Sequence, residues 1–145
     1  MFHGKLFFCL VQRIDGHVGA VAAGDEVLLI NQRGTSTAYS NVGNYEFLTI
    51  SSISGDTITF TTSKTKYYGD TSDGDANIST SSGQFVMAQR VPNYNDVTVS
   101  STYTLSADSF DTTHPTGDTA KRGGVLAFRA NGTVTVEGTV SAVGA

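Results

Sequence analysis
The sequence predicts an all-β protein, in which a small barrel or meander is followed by a β-sandwich or by short β-solenoid-like strands. Its 145 residues include 20 Thr, 15 Ser and 16 Gly, a composition that favours strands and turns, because β-branched Thr suits pleated surfaces and Gly weakens helices. No long segment keeps the apolar period of about 3.6 residues that an amphipathic helix needs. Short alternating or continuous apolar runs recur instead, separated by turn-forming residues.

Residues 1–80 are expected to form an N-terminal strand and the small barrel or meander. The N-terminal strand is the apolar run Leu6–Val11, and further strands are expected over Val27–Ile30, Tyr45–Ile50 and Thr57–Thr61. The last two are predicted to form a hairpin, because alternating residues flank the Gly-containing turn between them. The polar stretch 64–82 is expected to be an exposed, mobile loop.

Residues 81–145 are expected to form the sandwich or solenoid-like half, packed with the first half into one compact unit. An exposed loop is expected over 108–122. Short strands are predicted at Phe85–Ala88, Asp96–Ser100, Tyr103–Leu105, Gly124–Arg129, Thr133–Glu137 and Thr139–Ser141. Asn131-Gly132 is a favoured hairpin pair, and it also occurs in solenoid corners. The spacing of roughly ten residues suits both a sandwich and stacked solenoid rungs, so periodicity leaves both alternatives open.

Charge and apolar runs exclude two classes of partner. Charged residues make up 15% of the chain, the formal net charge is −4, and the nine Lys and Arg are scattered, so no nucleic-acid partner is expected. The longest apolar run near the start is much shorter than the roughly 20 residues of a membrane-spanning helix, so no membrane is expected either. Cys9 is the single cysteine, which excludes an intramolecular disulfide framework.

Catalytic motifs are lacking, and we therefore expect a protein that is not an enzyme and uses no cofactor. The sequence contains no nucleophile elbow, no P-loop and no H-E-x-x-H zinc motif. Cys9 lies in an apolar run rather than in an electropositive setting that would activate a thiolate. Asp108 and Asp111 lie among turn formers, where capping of solvated turns is the expected role.

Three acidic residues close together are candidate metal ligands. Asp70, Asp73 and Asp75 lie within six residues, next to Gly69 and Gly74. Calcium prefers several oxygen ligands from flexible loops, but the EF-hand spacing and its bidentate Glu are missing. The sequence therefore predicts a solvated acidic loop and no metal site.

Two segments are candidate contact surfaces. Tyr67 and Tyr68, in the polar loop, could stack on sugars or anchor a protein contact, or cap the edge of the core. The N-terminal strand could add to the sheet edge of a neighbouring copy, or close the protein's own core. Its candidate assembly residues are Leu6, Phe7, Phe8, Cys9, Leu10 and Val11.

Two blocks of the sequence resemble a known β-rich module. They read GDEVLLINQRGTSTAYSNVGNYEFLTISSISGDTITF and QRVPNYNDVTV followed by GGVLAFRANGTVTVEGTVSAVG. Together they resemble a structural module of phage tail or fibre-like proteins and of large bacterial surface or secreted proteins. The resemblance covers Gly24–Gly144. It implies a small barrel beside a solenoid-like or sandwich core, and a structural or adhesive role without catalytic residues.

The sequence and this resemblance together predict a structural protein that acts by self-assembly or docking. The expected setting is the virion, where the protein would be a repeated component such as a capsid decoration protein or a fibre-like subunit. Its expected partners are further copies of itself or other structural proteins of the same assembly. One alternative is a subunit of a bacterial extracellular filament or surface layer, at the cell surface or outside the cell. Another is a carbohydrate-binding or adhesin module with a glycan as partner.

Overall fold
A computed structural model of the chain contains strands and turns and, among the residues it describes, no helix. The chain divides into two compact units, unit 1 over Met1–Arg90 and unit 2 over Val91–Ala145. The all-β class expected from the sequence is confirmed. The structure describes residues 5–7, 10–11, 21–55, 57–78, 83–107 and 124–142, the first two ranges by backbone alone.

The part of unit 1 that the structure describes has six strands in one sheet. In chain order they are β1 (Lys5–Phe7), β2 (Leu10–Val11), β3 (Glu26–Arg33), β4 (Tyr45–Ser54), β5 (Thr57–Phe60) and β6 (Phe85–Arg90). Their order across the sheet is β1-β5-β4-β3-β6-β2. The first five strands of this order, from β1 to β6, pair antiparallel with one another, whereas β2 runs parallel to β6. The predicted hairpin is confirmed, because β4 and β5 pair across a turn in which Gly55 has a φ of 54°.

The core cluster of unit 1 lies on one face of this sheet, and β3 and β6 also bury apolar side chains on the other face. The burial pattern along β5 alternates, with Ile58 and Phe60 buried, as expected for a strand that has one face against a core. In β3, Val27 and Leu29 point to the same face and are fully buried. The core cluster consists of Val21, Val27, Leu29, Leu48, Ile50, Ile58, Phe60, Tyr68, Val86 and Ala88.

The strand order implies a curled sheet. β1 and β2 lie at opposite ends of the order, yet only two residues separate them in the chain. Those residues bridge at most about 11 Å, whereas the edges of a flat six-stranded sheet lie about 24 Å apart. The sheet must therefore bring its two ends towards each other. The closed barrel expected from the sequence stays a prediction.

In the described residues of unit 2, six short strands form three separate parallel pairs. In chain order they are β7 (Asn93–Tyr94), β8 (Val97–Val99), β9 (Thr104–Ser106), β10 (Arg129–Ala130), β11 (Val134–Val136) and β12 (Thr139–Ser141). β7 pairs with β10, β8 with β11 and β9 with β12. We call β7–β9 coil 1 and β10–β12 coil 2, since each strand of one stacks on the equivalent strand of the other. This is the solenoid-like alternative, because sandwich sheets are antiparallel.

Three details differ from the sequence-based expectations. The boundary between the units follows Arg90 rather than residue 80, because β6 pairs along its length with β3 of unit 1. At Asn131-Gly132 the hairpin does not form, and the solenoid corner that the sequence left open as the alternative is present, because the strands that flank the dipeptide pair with coil 1. The strand expected over Gly124–Arg129 is reduced to Arg129–Ala130. The expected loop over 108–122 lies outside the described residues, and the packing of the two halves into one unit stays a prediction.

Candidate assembly surface
Two of the three strand pairs between the coils stack matching side chains in register, whereas the residues paired between β7 and β10 differ. The pairs are Val134 on Val97, Thr135 on Thr98, Val136 on Val99, Thr139 on Thr104, Val140 on Leu105 and Ser141 on Ser106. Five of these six pairs are identical, and the sixth pairs two aliphatic residues. Strands β11 and β12 of coil 2 therefore repeat the side-chain pattern that β8 and β9 of coil 1 present.

The hydrogen bonds between the coils fix which main-chain groups they use. The Val97 N–H donates to the Thr133 carbonyl (3.0 Å), and the Glu137 N–H donates to the Val99 carbonyl (2.8 Å). The main-chain N–H and C=O groups of successive strand residues point to opposite sides of the strand. Those of Thr135 therefore point towards coil 1, like the Thr133 carbonyl and the Glu137 N–H on either side. The N–H and C=O groups of Val134 and Val136 consequently point away from coil 1. Within the part of the chain that the structure describes, β11 pairs with β8 alone.

Apolar side chains at this edge of coil 2 are half-exposed. Val99 in coil 1 is 7% exposed, whereas Val136, stacked on it, is 48% exposed. Val134 is 46% exposed and Val140 48% exposed. This edge of coil 2 thus combines apolar surface with main-chain groups that no described strand pairs, which is the arrangement that strand addition uses.

Two glycines at the corners of coil 2 allow the close stacking. A Cβ on Gly138 would collide with the carbonyl oxygens of Ser100 and Tyr103, and a Cβ on Gly132 would collide with Asp96 and Asn95. Neither glycine has the positive φ that would require it for conformational reasons. Their role is close approach of backbone to backbone. The Asp96 carboxylate also accepts a bond from the Thr133 N–H (2.7 Å), so the corner is held from both coils.

In unit 1, Glu46 anchors the polar loop that follows β5. Its Oε2 accepts bonds from the N–H (2.6 Å) and the hydroxyl (2.8 Å) of Thr65. Its Oε1 accepts bonds from the Lys66 N–H (2.9 Å) and the Tyr68 hydroxyl (3.0 Å). Burial alone would raise the pKa of Glu46, but these four bonds to the ionised form outweigh it and hold the pKa below its ordinary value.

Buried amide side chains hold the same loop from below. The Asn41 amide donates to the carbonyls of Gly69 (2.9 Å) and Thr71 (2.6 Å). The Asn31 amide donates to the Tyr68 carbonyl (3.0 Å) and to the Gln84 side chain (3.0 Å). The loop over residues 64–78 is therefore tied to the sheet. The expectation of a wholly exposed loop is wrong at Tyr68 and Gly69, both of which are buried.

The two tyrosines proposed as surface contacts have different environments. Tyr68 is 0% exposed and belongs to the core cluster of unit 1, so its prediction as a surface contact is wrong. Its ring is buried because the loop folds back over the sheet, where Glu46 receives the hydroxyl. Tyr67 is 44% exposed, with the Lys64 ammonium 5.2 Å from its ring centre. A contact role for Tyr67 stays a prediction.

The three candidate metal ligands do not converge. Asp70 accepts a bond from the Asn77 amide, and Asp75 forms an ion pair with Lys64 and accepts a bond from the Tyr68 N–H (2.9 Å). Among the described residues, which include Asp73, no group of three or more acidic, His or Cys side chains could hold a metal ion. Asp70 and Asp75 thus use their carboxylates to shape the loop.

The N-terminal assembly segment pairs within its own chain. β1 pairs antiparallel with β5, with Leu6 opposite Ile58, and β2 pairs parallel with β6, with Leu10 opposite Met87. This is the pairing that the intramolecular alternative expects. Phe8 and Cys9 lie outside the described residues, and a role of this segment in assembly stays a prediction.

The remaining candidate residues from the sequence are not among those that the structure describes. Asp108 and Asp111, proposed as turn caps, lie outside the described residues, as do all three histidines. Among the described residues there is no helix that is long and apolar enough to cross a membrane.

Sequence reasoning overlooked the edge of coil 2. The signal that could have revealed it is the recurrence of Val-Thr-Val at Val97–Val99 and Val134–Val136, each followed by Thr, an aliphatic residue and Ser. Such a repeat is typical of stacked coils that bury their apolar faces against each other.

Comparisons with protein-family models, with curated proteins and with solved structures found no match to this chain.

Proposed function
We propose that this protein is a non-enzymatic structural protein, a repeated component of a phage particle such as a capsid decoration protein or a fibre-like subunit. It acts by self-assembly or by docking on other structural proteins of the assembly, and it needs no cofactor. The observation that carries the proposal is the edge of coil 2, where half-exposed valines accompany main-chain groups that point away from coil 1. Such an edge is a template for pairing with another strand.

The use of the charged side chains supports this proposal. Glu46 binds the loop through two backbone N–H groups, Asp75 binds the Tyr68 N–H, and Asp96 binds the Thr133 N–H. Asp25 pairs with Arg90 (3.2 Å) at the base of the sheet. These carboxylates stabilise turns and corners, as expected for a scaffold built to hold its shape.

Immunogold electron microscopy on a culture of the source organism tests the setting. An antibody against this chain is expected to label phage particles at regular positions. Label on filaments or on the cell surface would favour the alternative of an extracellular filament or surface layer. Label confined to the cell interior, away from particles, would contradict the proposal.

A carbohydrate-binding or adhesin module is the second candidate function. It is favoured by exposed aromatic side chains that could stack on sugar rings, among them Tyr103, 70% exposed, and the edge-to-face pair of Tyr45 and Phe47. A glycan array distinguishes the two functions. Dose-dependent binding to one glycan class, lost in Tyr45→Ser or Tyr103→Ser, would favour the adhesin. Absence of binding would leave the structural role.

A further inference from the structure
The outer edge of coil 2 repeats what coil 1 offers to coil 2. Coil 1 directs the main-chain groups of Val97 and Val99 towards coil 2, with valine side chains beside them. Coil 2 directs the main-chain groups of Val134 and Val136 outwards, again with valine side chains beside them. Hydrogen-bond donors, acceptors and valine side chains thus follow the same order along the edge of β8 that faces coil 2 and along the outer edge of β11. A strand that pairs with the edge of β8 therefore has the pattern to pair with the outer edge of β11.

The opposite edge of coil 1 is the matching half. Because Val97 and Val99 face coil 2, the N–H and C=O groups of Thr98 point to the other side of β8. Thr135 directs its own groups towards coil 1 in the same way. The Thr98 side chain is exposed, and the described part of the chain places no strand beside that edge of β8. Along β8 and β9, coil 1 therefore presents a strand edge equivalent to the one through which coil 2 stacks on it, although the corners of coil 1 carry side chains where coil 2 has glycines.

We propose that the outer edge of coil 2 binds coil 1 of a second copy of this chain, in a parallel, head-to-tail arrangement. Val134 then stacks on Val97 of the second copy and Val136 on its Val99, in the register seen within the chain. The contact joins two different surfaces, so it leaves a free edge on each end and can extend into a linear series. This inference rests on the proposed function and names the partner for its self-assembly.

Charged substitutions at the two edges test the arrangement. Sedimentation velocity of the full chain over a concentration series is expected to show association that grows with concentration. Val136→Lys on coil 2 and Thr98→Lys on coil 1 each place a charge on one edge, and each variant alone is expected to remain monomeric. Val42→Lys is the matched control, because Val42 is 40% exposed in unit 1, and it should associate like the wild type. Far-UV circular dichroism checks that every variant keeps its fold.

Mixing the two edge variants tests the head-to-tail geometry. Val136→Lys retains the intact edge of coil 1, and Thr98→Lys retains the intact edge of coil 2. An equimolar mixture is therefore expected to form a one-to-one heterodimer that grows no further. A mixture that stays monomeric would overturn the inference, as would wild-type association that stops at a symmetric dimer.

Should Val136→Lys alter the fold, Val136→Pro provides the second test. It removes only the N–H that points away from coil 1, and it should block association without loss of the stack. Association that neither Val136 variant changes overturns this surface while leaving a self-assembling structural protein. A wild-type chain that stays monomeric at all concentrations overturns the second copy as partner, and particle labelling then decides the proposed function separately.

Discussion
At the scale of single residues, Gly138 sets how closely the two coils approach. A Cβ on it would collide with the carbonyl oxygens of both Ser100 and Tyr103, which belong to the backbone and cannot rotate away. A Cβ on Gly132 would meet one backbone oxygen, that of Asn95 at 2.8 Å, together with a side-chain carboxylate. The same added methyl group should therefore cost more at Gly138 than at Gly132.

We expect Gly138→Ala to destabilise unit 2 by about 1–3 kcal/mol, the usual cost of overpacking, and Gly132→Ala to cost less. Amide hydrogen exchange of the β8 and β11 residues measures the loss within unit 2. The β3 and β4 amides of unit 1 serve as the internal control. Equal protection of the coils in wild type and Gly138→Ala would show that the corner tolerates a Cβ.

Glu46 makes the anchoring of the polar loop dependent on pH. Because its pKa in the folded protein lies below the ordinary value of 4.5, ionised Glu46 stabilises the fold above that value, and this stabilisation is lost as the pH falls through the lowered pKa. We expect Glu46→Gln to cost about 1–2 kcal/mol at neutral pH, and the deficit to shrink at acidic pH. Urea unfolding at a series of pH values measures it. Glu137→Gln, at an exposed position, is the control, and a deficit that does not change with pH would contradict this role.

At the scale of elements, the loop over residues 64–78 is held by side chains from the loop that joins β3 and β4. Asn41 is 4% exposed and supplies two of the bonds, to the carbonyls of Gly69 and Thr71. Its loss would leave two carbonyls without their amide donor. The sheet itself would keep its ladder, because the Asn41 side chain takes no part in strand pairing.

We expect Asn41→Ala to raise hydrogen exchange at residues 69–77 by at least tenfold, equivalent to about 1.4 kcal/mol, while the β3 and β4 amides change little. Asn93→Ala, the same change at an exposed position of unit 2, is the control and should leave residues 69–77 unaffected. Uniform loss of protection across unit 1 would mean that Asn41 supports the whole sheet rather than the loop.

Elements with a local signal were predictable from the sequence, and those set by distant partners were not. The β4–β5 hairpin follows from alternation around Gly55, and β3 and β6 follow from apolar runs. Tyr68 was misplaced because its burial depends on Glu46, which is 22 positions away in the chain. The corner at Asn131-Gly132 was ambiguous because the same dipeptide suits a hairpin, and only pairing with coil 1 distinguishes the two.

At the scale of the whole molecule, the low content of charged residues and the strand edge of coil 2 that no described strand covers both agree with assembly from many copies. Fully burying a valine contributes roughly 1.5–3 kcal/mol, so the three half-exposed valines of coil 2 offer a few kcal/mol to a covering coil. A contact of that size is weak for a single pair of molecules. In a repeated assembly each copy forms this contact twice, once through coil 1 and once through coil 2. Many weak contacts together then hold the assembly.

Amide exchange of Val136, followed by NMR as the concentration of the chain is raised, tests this account most directly. The Val136 N–H points away from coil 1, and the Thr135 N–H points towards it. If copies stack, Val136 exchanges rapidly at low concentration and becomes protected at high concentration, while Thr135 is protected throughout. Rapid exchange of Val136 at every concentration, beside a protected Thr135, would contradict assembly through the edge of coil 2.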